Sequence, residues 1–86
     1  MEMHELVEKL RELDKKLVDL QVMLKLENKK IEIKDLEAKM NEPNFWNNQE
    51  NAKKVSKRLS YLQNEQNEWG KLSKQMGDLL EMAQLD

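Results

Sequence analysis

Leucine recurs along the first third of the chain at alternating steps of four and three residues. The positions are Leu6, Leu10, Leu13, Leu17, Leu20 and Leu24. This spacing places the leucines along one side of a helix. Charged pairs one turn apart, such as Glu5 with Lys9, support the same structure. We therefore predict a first helix over residues 3–24.

The leucine register does not continue beyond Leu24. Continuing it would place Glu27 and Lys34 in the apolar stripe. The apolar residues that follow are instead Leu26, Ile33, Leu36 and Met40. Because the three-four spacing cannot absorb a shift of two residues, we expect a break or sharp bend between Leu24 and Asn28. A second helix is predicted over residues 28–41.

The last part of the chain carries one apolar stripe without a change of register. Its positions are Val55, Leu59, Leu62, Gln66, Trp69, Ser73, Met76, Leu80 and Ala83, with Leu72 and Leu79 beside it. The period runs through Gly70 and Gly77, and no proline follows them. We therefore expect both glycines to lie inside a third helix over residues 48–84, although each costs about 1 kcal/mol of helix propensity relative to alanine.

The first two helices end to end match the third helix in length, so their apolar stripes can cover one another. The predicted fold class is all-α, an antiparallel up-down bundle or a coiled-coil-like hairpin of long helices. We expect one helical domain over residues 1–86. The sequence leaves open whether the first helix continues the line of the second or folds back as a third member of the bundle.

A hinge is predicted at residues 41–47, where the only proline of the chain lies between the second and third helices. Pro43 has no amide hydrogen and clashes with the preceding turn, so a helix must end before it. Asn47 is a suitable N-cap, and Glu50 stands three residues later. There the carboxylate can reach back to the cap amide and meet the positive end of the helix dipole.

The hinge also carries the only phenylalanine and one of the two tryptophans. We expect Phe45 and Trp46 to cover the corner with apolar surface, so that truncation of a fully buried Trp46 costs about 3 to 5 kcal/mol. The alternative is that Trp46 presents its ring to a partner. Trp69 lies in the stripe of the third helix and is expected to fill the core.

The composition favours a small helical protein. Ala, Glu, Lys, Leu and Arg make up about half of the residues, as in long helices and coiled coils. The chain has 86 residues, a net charge of -2 and no cysteine. It lacks both an apolar run long enough for a membrane span and a signal peptide at its start. A cytoplasmic protein without disulfides or membrane contact is the expectation.

Residues suited to catalysis or metal binding are scarce. His4 is the sole histidine and lies near a terminus, while the carboxylates are spread over faces that also carry lysines. Metal sites need several ligands converging on one point, and the serines have no histidine positioned to activate them. We predict no enzyme activity, cofactor, metal or small-molecule ligand.

A cluster of basic residues lies beside the stripe of the third helix, on its outward side. Its members are Lys53, Lys54, Lys57 and Arg58. Such a cluster suits RNA phosphate or an acidic protein surface, although an ordinary solvated face has the same composition. It is our candidate contact with RNA or an acidic partner.

Several segments resemble the N-terminal helical domain of the bacterial peptide chain release factor 2 family. They are Leu26-Glu27-Asn28-Lys29-Lys30, the apolar positions Ile33, Leu36 and Met40, and Glu42-Pro43-Asn44-Phe45-Trp46-Asn47 followed by Ala52. The acidic-Pro-x-Phe-Trp-Asn corner is the most specific element. The chain departs from the family pattern at Val22-Met23-Leu24-Lys25, where the family often has a glycine and an aspartate cap.

The resemblance implies a class I translation termination factor specific for a stop-codon pair. Such factors read the codon through Ser-Pro-Phe and promote hydrolysis through Gly-Gly-Gln, and neither tripeptide occurs here. The resemblance therefore implies a part of a longer release factor, with a docking role at the stalk base of the large ribosomal subunit, formed by rRNA and ribosomal protein. The rest of the release factor chain is a further implied partner, and the resemblance makes the basic cluster of Lys53, Lys54, Lys57 and Arg58 the candidate contact with the ribosome or its RNA.

Two other expectations accompany this interpretation. A generic antiparallel coiled-coil adaptor for protein-protein interactions remains the alternative function. Self-association is also expected, because an uncovered stripe of Leu, Met and Trp can recruit a second copy.

Overall fold

The computed structural model describes residues 2–85, and its regular elements are all helical. Helix α1 spans Met3–Met23, α2 spans Leu26–Met40 and α3 spans Gln49–Gln84. A short 3-10 helix at Phe45–Asn47 precedes α3. The predicted all-α fold class is confirmed, and each helix begins and ends within two residues of its expected bounds.

The chain packs as two compact units. The central unit comprises Lys25–Asn67, and the terminal unit comprises, among the described residues, 2–24 and 68–85. The central unit thus contains α2, the turn and the first part of α3. The terminal unit contains α1 and the last part of α3.

The core of the central unit is a leucine cluster between α2 and α3. Leu36, Leu59 and Leu62 are buried in it, and Leu62 has no exposed surface. The partly buried residues packed against this cluster are Ile33, Met40 and Val55. Because these residues share the predicted apolar faces of both helices, burial of those faces holds α2 against α3.

Polar pairs set the register of the two helices in the central unit. Lys29 Nζ lies 2.7 Å from Glu65 Oε1, and Arg58 Nε lies 2.8 Å from Glu32 Oε2. The residue number falls along α3 as it rises along α2. The two helices of this unit are therefore antiparallel.

Helix α3 runs through both glycines as predicted, and its apolar stripe is interrupted at one position. Apart from Ser73, each of its positions is buried or partly buried. The polar members are hydrogen-bonded within their own units: Gln66 Nε2 donates to the Leu26 carbonyl oxygen at 2.9 Å, and Gln21 Nε2 donates to Ser73 Oγ at 2.8 Å. These bonds explain how amide and hydroxyl side chains occupy the stripe.

The leucines of α1 are covered less completely than those of α3. Only Leu17 is buried, and Leu10 is partly buried. Leu13 is 51% exposed and Leu20 is 47% exposed. The three-four spacing correctly predicted the helix, but the terminal unit covers only part of that stripe.

The break between α1 and α2 lies where the change of register placed it. Lys25 has φ 55° and ψ 45°, the left-handed helical region, and no other non-glycine residue in the described range has a positive φ. Leu24 follows α1 as its C-cap, and its amide donates to the Leu20 carbonyl oxygen at 2.9 Å. This backbone conformation is unfavourable for a residue with a Cβ atom, and glycine is the usual residue at this position after a helix.

We expect Lys25→Gly to raise the free energy of unfolding by about 1 kcal/mol, because glycine adopts positive φ without the steric penalty of a Cβ atom. Urea denaturation followed by circular dichroism measures the change. Lys25→Ala is the matched control, since it removes the lysine side chain but keeps the Cβ. Equal stabilisation by both variants would contradict the backbone explanation.

The turn at residues 41–48 corrects the predicted cap. Asn47 belongs to the 3-10 helix, and its amide donates to the Asn44 carbonyl at 3.2 Å. Asn48 caps α3 instead, because its Oδ1 accepts from the Asn51 amide at 3.1 Å. Glu50 is then the second residue of α3, not the third, so it lacks the capping-box position. It still lies in the first turn, where the helix dipole favours an acidic side chain.

The two aromatic residues of the turn lie in different environments. Phe45 is 8% exposed, whereas Trp46 is 58% exposed. Their rings meet edge to face, with centroids 5.0 Å apart and planes at 84°. The expectation that Trp46 is buried in the corner is therefore wrong: the 3-10 helix directs Phe45 inward and leaves most of the neighbouring ring in solvent.

Candidate nucleic-acid interface

Three lysines lie on the side of α3 that faces away from the core of the central unit. Lys53, Lys54 and Lys57 are exposed, and we call them the lysine face. With 100° between successive residues, this side is opposite the buried stripe that contains Leu59 and Leu62. The helix that packs against α2 thus directs these three cations into solvent.

The lysine face lies in a stretch without acidic residues that begins just after Glu50, an exposed residue one turn before Lys53 and Lys54. Residues 51–64 hold four basic side chains and none that is negatively charged, although the whole chain has a net charge of -2. Lys53 and Lys57 are about 6 Å apart along the helix axis, given a rise of 1.5 Å per residue. A local excess of positive charge on an exposed helix attracts polyanions despite the acidic balance of the chain.

Arg58, the fourth basic residue of the predicted cluster, is engaged within the protein. Its Nε lies 2.8 Å from Glu32 Oε2 and its Nη2 lies 3.1 Å from Glu32 Oε1, a two-point pair between α3 and α2. The hydrogen bonds from Arg58, supported by its positive charge and opposed by partial desolvation, hold the pKa of Glu32 below its ordinary value. Arg58 thus links α3 to α2, whereas the three lysines point into solvent.

Tyr61 extends the outward side of α3 by one turn beyond Lys57. Tyr61 is 57% exposed, and the Arg58 guanidinium carbon lies 5.8 Å from its ring centroid. This distance suits a cation-π contact. Sequence reasoning missed Tyr61, although its spacing from Arg58 placed both residues one turn apart and outside the stripe. The pairing with Glu32 depends on the register between helices, which the sequence does not give.

The residues considered for catalysis remain dispersed. His4 is exposed, with its Nε2 3.1 Å from Glu8 Oε1 one turn later. Within residues 2–85, no group of three or more His, Cys, Asp or Glu side chains could hold a metal ion. In the same part of the chain, no helix is both long and apolar enough to cross a membrane.

Comparison with protein families gives a match over most of α2 and all of the described α3. A model described as the PCRF domain matches residues 29–86, more than half of the chain. The chain belongs to the PCRF domain family. The lysine face and the Glu32–Arg58 pair both lie inside the matched range.

The PCRF chain is similar to proteins named peptide chain release factor 2. The protein from Petrotoga mobilis is 38% identical over 71 residues, covering 83% of this chain and 19% of the relative. That from Acidothermus cellulolyticus is 36% identical over 78 residues, or 91% and 21% of the two chains. That from Thermomicrobium roseum is 37% identical over 76 residues, or 88% and 20%. The resemblance to release factor 2 is therefore confirmed.

The matched region is a small part of those relatives. The chain spans about a fifth of the length of the release factor 2 proteins that it matches. No solved structure gave a significant match. The family membership thus rests on sequence similarity.

Proposed function

We propose that this chain is a ribosome-docking domain of a class I peptide chain release factor that serves one stop-codon pair. The observation that carries the proposal is the PCRF domain match over residues 29–86. The similarity to proteins named peptide chain release factor 2 supports it. Such a domain would work in the cytoplasm, where it would join the rest of its release factor chain to the ribosome.

In this proposal the docking site is the stalk base of the large ribosomal subunit. The lysine face would contact rRNA phosphates there, beside ribosomal protein. Exposure of Lys53, Lys54 and Lys57 and the absence of acidic residues over 51–64 support this choice of surface. Arg58 is left out of the phosphate contacts, because its guanidinium is paired with Glu32.

Docking also agrees with the chemistry available in the chain. Neither Gly-Gly-Gln nor Ser-Pro-Phe occurs in the sequence. Peptidyl-tRNA hydrolysis and codon reading would therefore depend on other parts of a longer protein. This chain would contribute binding free energy and orientation, and would have no enzyme activity of its own.

A competition assay tests the proposal. We expect an excess of the 86-residue chain at low salt to slow stop-codon-dependent peptide release by an intact release factor 2 several-fold, because both would occupy one docking site. The chain alone should release no peptide. The inhibition should weaken as salt rises, since phosphate contacts displace counterions that return at high salt.

Charge reversal identifies the surface responsible. The variant Lys53→Glu, Lys54→Glu, Lys57→Glu should lose most of the inhibition while keeping its helical circular dichroism. A matched control reverses three exposed lysines of α1 and changes the net charge equally: Lys9, Lys15 and Lys16. Equal loss in both variants would remove the lysine face from the mechanism, and stop-codon-dependent release by the chain alone would contradict the docking role.

A further inference from the structure

Tyr61 combines exposure with restraint. More than half of its surface is open to solvent, on the same side of α3 as the lysine face. Along the helix axis the backbone of Tyr61 lies about 6 Å beyond that of Lys57, one turn further on. An exposed aromatic ring next to a row of cations offers a planar surface at the end of a phosphate-binding strip.

The ring contacts a guanidinium that is paired with α2. The guanidinium of Arg58 lies 5.8 Å from the ring centroid. Glu32 in turn fixes Arg58 through two hydrogen bonds of 2.8 and 3.1 Å. A two-point arginine-carboxylate pair restricts the guanidinium in orientation as well as position. The contacts from Glu32 through Arg58 to Tyr61 therefore restrict the tyrosine side chain before binding. Less conformational entropy is then lost when the ring binds a partner.

This combination favours RNA with an unpaired base over an acidic protein. Lysine cations serve either partner, but a planar exposed ring adds a surface for stacking a base that has left its helix. Asn64, also exposed on this side, adds a hydrogen-bonding group beside the ring. A phosphate-only contact would leave the restrained ring without a role.

We propose that Tyr61 stacks on an unpaired RNA base next to phosphates bound by the lysine face, and that the Glu32–Arg58 pair positions the tyrosine ring. Arg58 is then a positioning residue and not a phosphate ligand. This inference rests on the proposed function, because it names the part of rRNA that the docking surface would recognise. The partner is a loop or bulge, where phosphate and an open base occur together.

Binding of fluorescently labelled RNA to the 86-residue chain tests the stacking. The two probes are a hairpin with an unpaired loop and a fully paired duplex with the same number of phosphates. We expect tighter binding of the hairpin, and Tyr61→Ala should weaken that binding by roughly fivefold or more, the usual size of one base-aromatic stack. Tyr61→Phe should retain the affinity, since it keeps the ring. The affinity for the duplex should change little in either variant.

The salt dependence separates the lysines from the ring. Replacing Lys53, Lys54 and Lys57 by glutamine should reduce the slope of log affinity against log salt by about 2, the value for three phosphate contacts to single-stranded RNA. Tyr61→Ala should leave that slope unchanged. A fall in slope with Tyr61→Ala would show that the ring acts through the phosphate contacts, and would overturn the stacking role.

Glu32→Gln tests the positioning role of Arg58. The substitution weakens the hold on the guanidinium. If Arg58 positions Tyr61, preference for the hairpin over the duplex should fall and the salt slope should stay the same. The alternative is that Glu32 keeps Arg58 from contacting phosphate. Glu32→Gln would then raise both the affinity for RNA and the slope of log affinity against log salt, which would contradict the proposal.

Other outcomes distinguish this inference from the proposed function. Ribosome competition that persists unchanged in Tyr61→Ala would overturn the stacking inference and leave the docking function standing. Absence of competition by the wild-type chain would instead remove the docking function. Equal binding of a polyglutamate peptide and the hairpin by the wild-type chain would show a general anion surface and overturn the choice of RNA. Circular dichroism of each variant confirms that its helices are retained.

Discussion

We expect Phe45→Ala to lower the free energy of unfolding by about 3 to 5 kcal/mol, the range for truncating a buried phenylalanine. Phe45 is 8% exposed in the turn between α2 and α3. Its removal would leave a cavity at the point where the two helices of the central unit are joined. For a chain of this size the loss is a large fraction of the total stability.

Trp46→Ala is the matched control for that prediction. Trp46 is the next residue and the larger side chain, but it is 58% exposed. Its truncation should cost about 1 kcal/mol, mainly the edge-to-face contact with Phe45. Urea denaturation followed by circular dichroism measures both variants. A larger loss for Trp46→Ala than for Phe45→Ala would contradict the described turn.

The second large effect is expected at Leu62, the centre of the leucine cluster. Leu62 has no exposed surface, so Leu62→Ala should cost about 2 to 5 kcal/mol through lost burial and the cavity left behind. Leu72→Ala makes the same chemical change in the same helix, at a side chain that is 44% exposed. It should cost about 1 kcal/mol or less, because exposed surface contributes little.

The comparison of these two leucines removes helix propensity as an explanation, since both exchanges replace leucine by alanine within α3. Denaturant midpoints and slopes distinguish a loss of stability from a change in the unfolded chain. Similar losses at both positions would contradict the claim that burial of Leu62 in the leucine cluster makes it more important for stability than an exposed leucine of the same helix.

The spacing of apolar residues predicted most of the helical structure, because a helix buries residues that recur every three or four positions. The stripe of α3 held at Gln66, whose amide finds a partner in its own unit, but not at Ser73, which is exposed. The change of register after Leu24 located the break. The left-handed residue itself was not predictable, because lysine at position 25 carries no preference for positive φ.

The features that could not be predicted from the sequence depend on the conformation of the turn and on the contacts between α2 and α3. Asn47 and Asn48 are equally suitable caps, and only the 3-10 helix decides between them. The same turn decides that Phe45, and not Trp46, is buried. Arg58 belongs to the basic cluster by sequence, but Glu32 reaches it across the helix pair. Self-association and the extent of a single domain remain predictions.

Directed cleavage of rRNA tests the central claim, that the lysine face docks at the stalk base of the large subunit. The chain has no cysteine, so Ser60→Cys gives one attachment point for an iron chelate beside the lysine face. Ala38→Cys provides the control, since it places the chelate on the exposed side of α2. The resulting radicals cut only nearby rRNA. We expect strong cuts in stalk-base rRNA from position 60 and weaker cuts from position 38. Cuts elsewhere on the ribosome, or equal cutting from both positions, would contradict docking through the lysine face.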